Sequence, residues 1–314
     1  MIFRTVLLSA ILMFFLAACN TPTDDISQQD HILRVVATTN IVGDVVSQVG
    51  GDAIELTVLL PPGTDPHSFQ PTPQDMARAA DAQVIFMNGA GLEAFMQSLL
   101  EKSGSQARLV EVSQDIALLE AVSHGESEGD DAHSEEGEHA GDPHVWMDPN
   151  NVLIWVDHIE STLVEIDPRN AALYKKNAES YRQELIDLDR WILEQVTQIP
   201  EANRELVTDH QLFIYFADRY GFEQIGAIVP GYSTLSEPSA QELAQLEDAI
   251  RELGVRAIFV GNTVNPGLAQ RLANDTGTKL VFFYTGSLTE ATGPAATYLD
   301  YMRFNVLAIV DALK

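Results

Sequence analysis

Four of the chain's eight histidines fall within 21 residues, His124–His144 (HGESEGDDAHSEEGEHAGDPH), among eight Asp and Glu and no Lys or Arg. Imidazoles interleaved with carboxylates are donors for borderline divalent metals, zinc first. The segment has no large apolar residue and cannot build a core. Cation handling is therefore the first chemistry to consider, against the alternative of a solvated acidic loop whose histidines are incidental.

Three histidines stand where a strand or loop hands over to a helix. His67 lies in the proline-rich stretch Pro61–Pro73 (PPGTDPHSFQPTP), ahead of a helix that Thr72 would cap. His144 lies in DPHVWMDP, ahead of a helix that Asn150 or Asn151 would cap. His210 ends the strand-like LVTDH and precedes the helical Phe213–Tyr220. In open parallel sheets ligands bind outside the carboxyl ends of the strands, so the three imidazoles are expected to face one crevice. Asp65 and Asp142 each stand two residues before a histidine. Either could accept a hydrogen bond from the ligand imidazole and fix its tautomer, or simply cap a turn. His158, inside a helix with no partner at i+4, is given no role, and His31 is read as solvated.

The elements that must hold these residues can be read from hydrophobic periodicity. β-branched runs at 34–39, 54–60, 83–88 and 108–112 alternate with amphipathic stretches such as 41–49 and 73–80. The pattern restarts at 205–208, 224–229, 256–260 and 280–284. This is the signature of βαβ units and parallel sheets, hence of two α/β lobes. Between the lobes, Asp167 as N-cap and Pro168 at the first helical position open one long helix that runs to Ile199. Its apolar stripe is Leu173, Tyr174, Ala178, Tyr181, Leu185, Leu188, Ile192, Val196 and Ile199. The expected organisation is a leader over 1–18, a lipidated tether over 19–33 and a first lobe over 34–166 that carries the loop 124–142. A linking helix over 167–199 and a second lobe over 200–314 complete it.

The leader is an apolar run from Val6 to Ala18 behind Arg4, too short for a membrane span of about 20 residues. It ends at Cys19, the only cysteine, within Leu16-Ala17-Ala18-Cys19, which resembles a bacterial lipobox. Cys19 is thus read as a lipidation site rather than a redox or catalytic thiol. With 46 acidic residues against 18 Lys and Arg, the net charge of -28 argues against nucleic-acid partners and against docking on anionic membranes through a basic patch. Cations are attracted.

The segments PPGTDPHSFQPTPQD, DPHVWMDP, DHQLFIYFADRYG, EPSAQELAQL and YLDYMRFNV together resemble the zinc and manganese solute-binding proteins of ABC importers, the cluster A-I family. The resemblance runs through nearly all of residues 34–314. It implies two Rossmann-like lobes joined by a single long backbone helix, with one metal bound in the cleft between them. The family's metal histidines map onto His67, His144 and His210. The inserted His- and acid-rich loop is typical of the zinc branch, and makes His124, His133 and His139 accessory metal-binding positions.

Thr285-Gly286-Ser287-Leu288 departs from the family pattern, because many relatives carry an aspartate ligand where Gly286 stands. Three imidazoles with a water, or with a carboxylate recruited from elsewhere in the crevice, suit tetrahedral zinc, whereas manganese prefers hard oxygen donors and higher coordination. The expectation is a lipid-anchored receptor, expected to be a monomer, that delivers zinc to a membrane permease, with manganese or ferrous iron as the alternative cargo. A zinc hydrolase is disfavoured because no His-Glu-x-x-His motif or general base with motif spacing is present. A surface adhesin role is a further alternative. Imidazole ligation predicts weakening as pH falls through about 6.5.

Overall fold

The computed structural model describes residues 32–120 and 141–314. The leader, Cys19 and the accessory histidines His124, His133 and His139 lie outside the described residues. Leu33–Lys314 forms one compact unit.

All eight expected strands form, because each is a short β-branched run closed by turn-forming residues. β1 (Leu33–Ala37), β2 (Ile54–Val58), β3 (Val84–Met87) and β4 (Arg108–Glu111) make a parallel sheet in the order β2-β1-β3-β4. β5 (Glu205–Thr208), β6 (Glu223–Ala227), β7 (Ala257–Gly261) and β8 (Lys279–Phe283) repeat the order as β6-β5-β7-β8, also parallel. Successive strand residues face opposite sides. Val35, Ala37, Val84 and Phe86 therefore point into the central core, and Val36, Ile85 and Met87 into a smaller outer cluster.

The helices among the described residues are α1 (Asn40–Gly50), α2 (Pro73–Asp81), α3 (Met96–Ser103), α4 (Pro149–Ile166) and α5 (Ala171–Val196). They are followed by α6 (Ile214–Tyr220), α7 (Ala240–Leu253), α8 (Gly267–Thr276) and α9 (Tyr298–Leu313). Thr72 caps α2 in a reciprocal capping box with Asp75, as its sequence predicts. α4 is capped not by Asn150 or Asn151 but by Asp148, whose side chain accepts from the Asn150 N–H, with Pro149 at the first position. The Asn150 side chain is engaged by Asp148 and Asp189.

The long helix starts later than Asp167-Pro168 suggests. Pro168–Asn170 forms one 3-10 turn, and the α-helix proper spans 26 residues, or roughly 39 Å at 1.5 Å per residue. The Asp167 carboxylate accepts from Asn170 Nδ2 (2.7 Å) and the Tyr174 hydroxyl (2.8 Å), which draws it away from the first helical N–H groups. Tyr174, Ala178, Tyr181, Leu185, Leu188, Ile192 and Val196 are buried. Leu173, one residue or about 100° from Tyr174, is instead 38% exposed. α5 packs on α4, α1 and α9. Its buried stripe joins residues of both sheets in one continuous apolar cluster, so the lobes share a core and do not merely hang from a common helix.

Candidate metal site

The sheets present their carboxyl ends, and the loops leaving them, to a common region. His67 follows β2, His144 follows β4 and precedes α4, and His210 stands two residues past β5. The structure brings these three together. His144 Nε2 lies 3.2 Å from His67 Nε2 and 3.3 Å from His210 Nε2. Among the described residues they form the one group of metal-ligating side chains whose donor atoms all lie within 4.8 Å of one another. His144 and His210 are buried, His67 is half-buried, and the indole of Trp146 packs edge-on against His144. His158 is not part of the group; its Nε2 lies 3.1 Å from Asp115 Oδ2.

Carboxylates aim two of the rings. Asp142 Oδ1 accepts from His144 Nδ1 at 2.6 Å and from the His144 backbone N–H at 2.8 Å. Asp209 Oδ1 does the same for His210, at 2.7 Å to Nδ1 and 2.7 Å to the backbone, while its Oδ2 accepts from the Gly261 N–H at 2.6 Å. A proton held on Nδ1 leaves the lone pair on Nε2. Asp209 escaped sequence reasoning, although the signal, an Asp-His pair at a strand end, stands in the sequence.

Asp65 takes the other course. Its Oδ1 accepts from the His67 backbone N–H (3.1 Å) and its Oδ2 from Ser68 (3.0 Å) and Thr234 (2.5 Å), so it closes a turn rather than orienting the His67 ring. The same Asp-Pro-His tripeptide thus serves two purposes.

The electrostatics leave the site ready for a cation. Burial, with the neighbouring His144 and His210, pushes His67 down to about 3, and burial followed by His210 holds His144 well below the ordinary histidine range. Both shifts are toward the neutral imidazole, the form whose nitrogen lone pair can hold a cation. Burial pushes the Asp142 carboxyl up to about 7, against the opposing pull of the His144 N–H.

Contacts between loops of the two sheets close around the histidines. Ser287 Oγ accepts from Asn40 Nδ2 (2.8 Å) and from the Gly63 N–H (2.7 Å), and the Leu288 N–H donates to Asn40 Oδ1 (2.8 Å). Gly286 abuts Pro66, the residue before His67. A Cβ at 286 would lie 2.8 Å from Pro66 Cδ and 3.1 Å from Cγ, so the absence of a side chain there lets the His67 loop approach.

Two parallel α/β sheets around a shared apolar core, with three imidazoles where their loops converge, define a receptor of the two-lobed, metal-binding class. The sequence model described as "ZnuA: Zinc-uptake complex component A periplasmic" matches residues 35–312. The chain belongs to this family, the metal-binding substrate-binding proteins of ABC transport, and is not an enzyme. It is 34% identical to the manganese-binding lipoprotein MntA of Halalkalibacterium halodurans over 97% of this chain and 96% of that protein. It is 29% identical to the iron-binding protein YfeA of Yersinia pestis over 97% of this chain and 93% of that one. Among solved structures, the periplasmic zinc-binding protein TroA of Treponema pallidum matches with a TM-score of 0.78 at 27% identity, covering 90% of this chain and 99% of that one.

Proposed function

We propose that this chain captures zinc outside the cytoplasmic membrane at His67, His144 and His210, while anchored through lipid on Cys19, and passes it to an ABC permease. The observation that carries the reading is the convergence of imidazole nitrogens. Two of the rings are aimed by carboxylates at Nδ1, so their Nε2 lone pairs face each other across 3.3 Å, an arrangement that is repulsive until a cation lies between them. Zinc–nitrogen bonds of about 2.0–2.1 Å at a tetrahedral angle place donors about 3.3 Å apart. The separations of 3.2 and 3.3 Å suit that geometry.

Cargo choice follows from donor chemistry. Three neutral nitrogens with no carboxylate from position 286 favour zinc over manganese, which takes harder oxygen donors and more of them. Manganese is the second reading, favoured by the 34% identity to a protein named manganese-binding; the relative named iron-binding supports ferrous iron in the same way. The acidic run supplies accessory, weaker sites at His124, His133 and His139 that raise the local metal concentration. Competitive titration of the apo-protein with zinc against manganese decides the cargo. Tight 1:1 zinc binding that excess manganese does not displace supports the proposal, and the reverse order overturns it. Deletion of residues 124–140 leaves the tight site and removes the weaker ones. Loss of tight binding on deletion would place that segment in the main site.

A further inference from the structure

Tyr215 stands on α6, five residues past His210, and is buried. Its hydroxyl reaches out of the second sheet's elements to two backbone groups near the first. It donates to the Asp142 carbonyl at 2.7 Å and accepts from the Leu119 N–H at 3.1 Å. Asp142 and Leu119 are also tied directly, the Asp142 N–H donating to the Leu119 carbonyl at 2.7 Å. Gly141 makes the approach possible, since a Cβ there would lie 2.6 Å from the Leu119 oxygen and 2.9 Å from Leu118 Cβ. One phenol therefore pins together two chain segments that lie 23 residues apart in sequence.

The pinned residue is the one that aims a ligand. The Asp142 carbonyl is held by Tyr215, and the carboxylate of the same residue holds both His144 Nδ1 and the His144 N–H. Asp142 Oδ2 has no partner among the described residues, so the side chain gains its direction from its Oδ1 contacts and from its own backbone. Fixing that backbone fixes the carboxylate.

From this chain of contacts we propose that Tyr215 is a positioning residue for the metal site, holding the Asp142 backbone so that its carboxylate presents His144 to the ion. The inference rests on the metal role of His144 proposed above. It also makes the segment 210–215 serve twice, supplying His210 as a donor and orienting His144 from the other side. Removing the hydroxyl strands a buried carbonyl and an N–H whose satisfaction set the register of the two segments.

The test is Tyr215→Phe in the full chain, with zinc affinity measured by chelator competition and cobalt(II) as a visible-absorption probe of the ligand field. Substitutions behind a metal ligand typically cost 10–100-fold in affinity, and Tyr215 acts through one further bond, so about a tenfold loss is expected, with weakened and shifted cobalt bands. Gly141→Ala, which parts the same segments from the other side, is expected to act alike. Tyr220→Phe, on the same helix but bonded to Asp189, serves as the control for general loosening, with affinity and spectrum unchanged. Tyr215→Phe with wild-type affinity and spectrum overturns the inference, as do Tyr215→Phe and Tyr220→Phe changing in step. A wild-type chain that takes up no tight ion, or whose binding survives His144→Ala, would overturn the metal reading itself and this inference with it.

Discussion

Replacing Asp142 and Asp209 by asparagine, one at a time, separates the two ways in which a carboxylate can support a ligand histidine. In Asp209 both oxygens are occupied by donors, Oδ1 by the two His210 N–H groups and Oδ2 by the Gly261 N–H at 2.6 Å. An amide must turn its NH2 toward one of these sets, so at least one buried donor meets another donor. Stranding such a group costs about 1–3 kcal/mol. Asp142 differs, because Oδ1 serves both His144 donors and Oδ2 has no partner among the described residues. An amide there fits without conflict. Burial also pushes the Asp142 carboxyl up to about 7, so at pH 8 the neutral amide avoids the cost of a buried charge.

Apo Asp209→Asn is therefore expected to lose about 2 kcal/mol in urea unfolding at pH 8, and apo Asp142→Asn to match or exceed the wild type. With His144 and His210 as the proposed zinc ligands, zinc affinity should fall in both, since each variant weakens the hydrogen bond that aims one of these rings. The loss should be about tenfold for Asp142→Asn and nearer a hundredfold for Asp209→Asn. Equal destabilisation of the two apo variants, or wild-type zinc affinity in either, would contradict this division of roles between Asp142 and Asp209.

Two further outcomes follow from residues near the site. Burial raises Glu93 to about 7 from 4.5, against the hydrogen bonds it accepts from Thr38, Asn88 and Gly89, so the folded chain holds this proton more tightly than the unfolded one between those values. Its contribution to stability is complete below about pH 4.5 and is lost as pH rises through about 7, a change on the order of 3 kcal/mol. Glu93→Gln should gain that much on the wild type between pH 5 and pH 8 in urea unfolding of the apo-protein, and parallel pH profiles would contradict it. Gly286→Ala pushes on Pro66 and should weaken zinc binding several-fold, while Gly286→Asp adds an oxygen donor and should raise the manganese-to-zinc affinity ratio about tenfold. Titration with both metals reads this, and an unchanged zinc affinity in Gly286→Ala would show that the His67 loop yields freely.

Local regularities were legible in the sequence, and side-chain competition was not. The eight strands appear within a residue or two of their β-branched runs because composition and the alternation with amphipathic stretches specify strands of a parallel sheet. His67, His144 and His210 were readable as a set because each follows a strand or loop at the ligand-binding edge. Asp167-Pro168 misled about the helix start because Tyr174, about two turns ahead, competes for the carboxylate. The pair Asp65 and Asp142 could not be told apart, since their difference lies in Thr234 and Ser68, which claim Asp65, and in Tyr215, which holds the Asp142 backbone. Thr234 and Tyr215 reach these positions only through the tertiary fold.

The position of the bound ion distinguishes the three imidazoles from every other donor set. Anomalous diffraction at the zinc edge, from crystals of the zinc-loaded chain, should give a strong peak about 2.0–2.1 Å from Nε2 of each of His67, His144 and His210. A principal peak elsewhere, or one bound by carboxylates with any of the three imidazoles outside coordination distance, would contradict it.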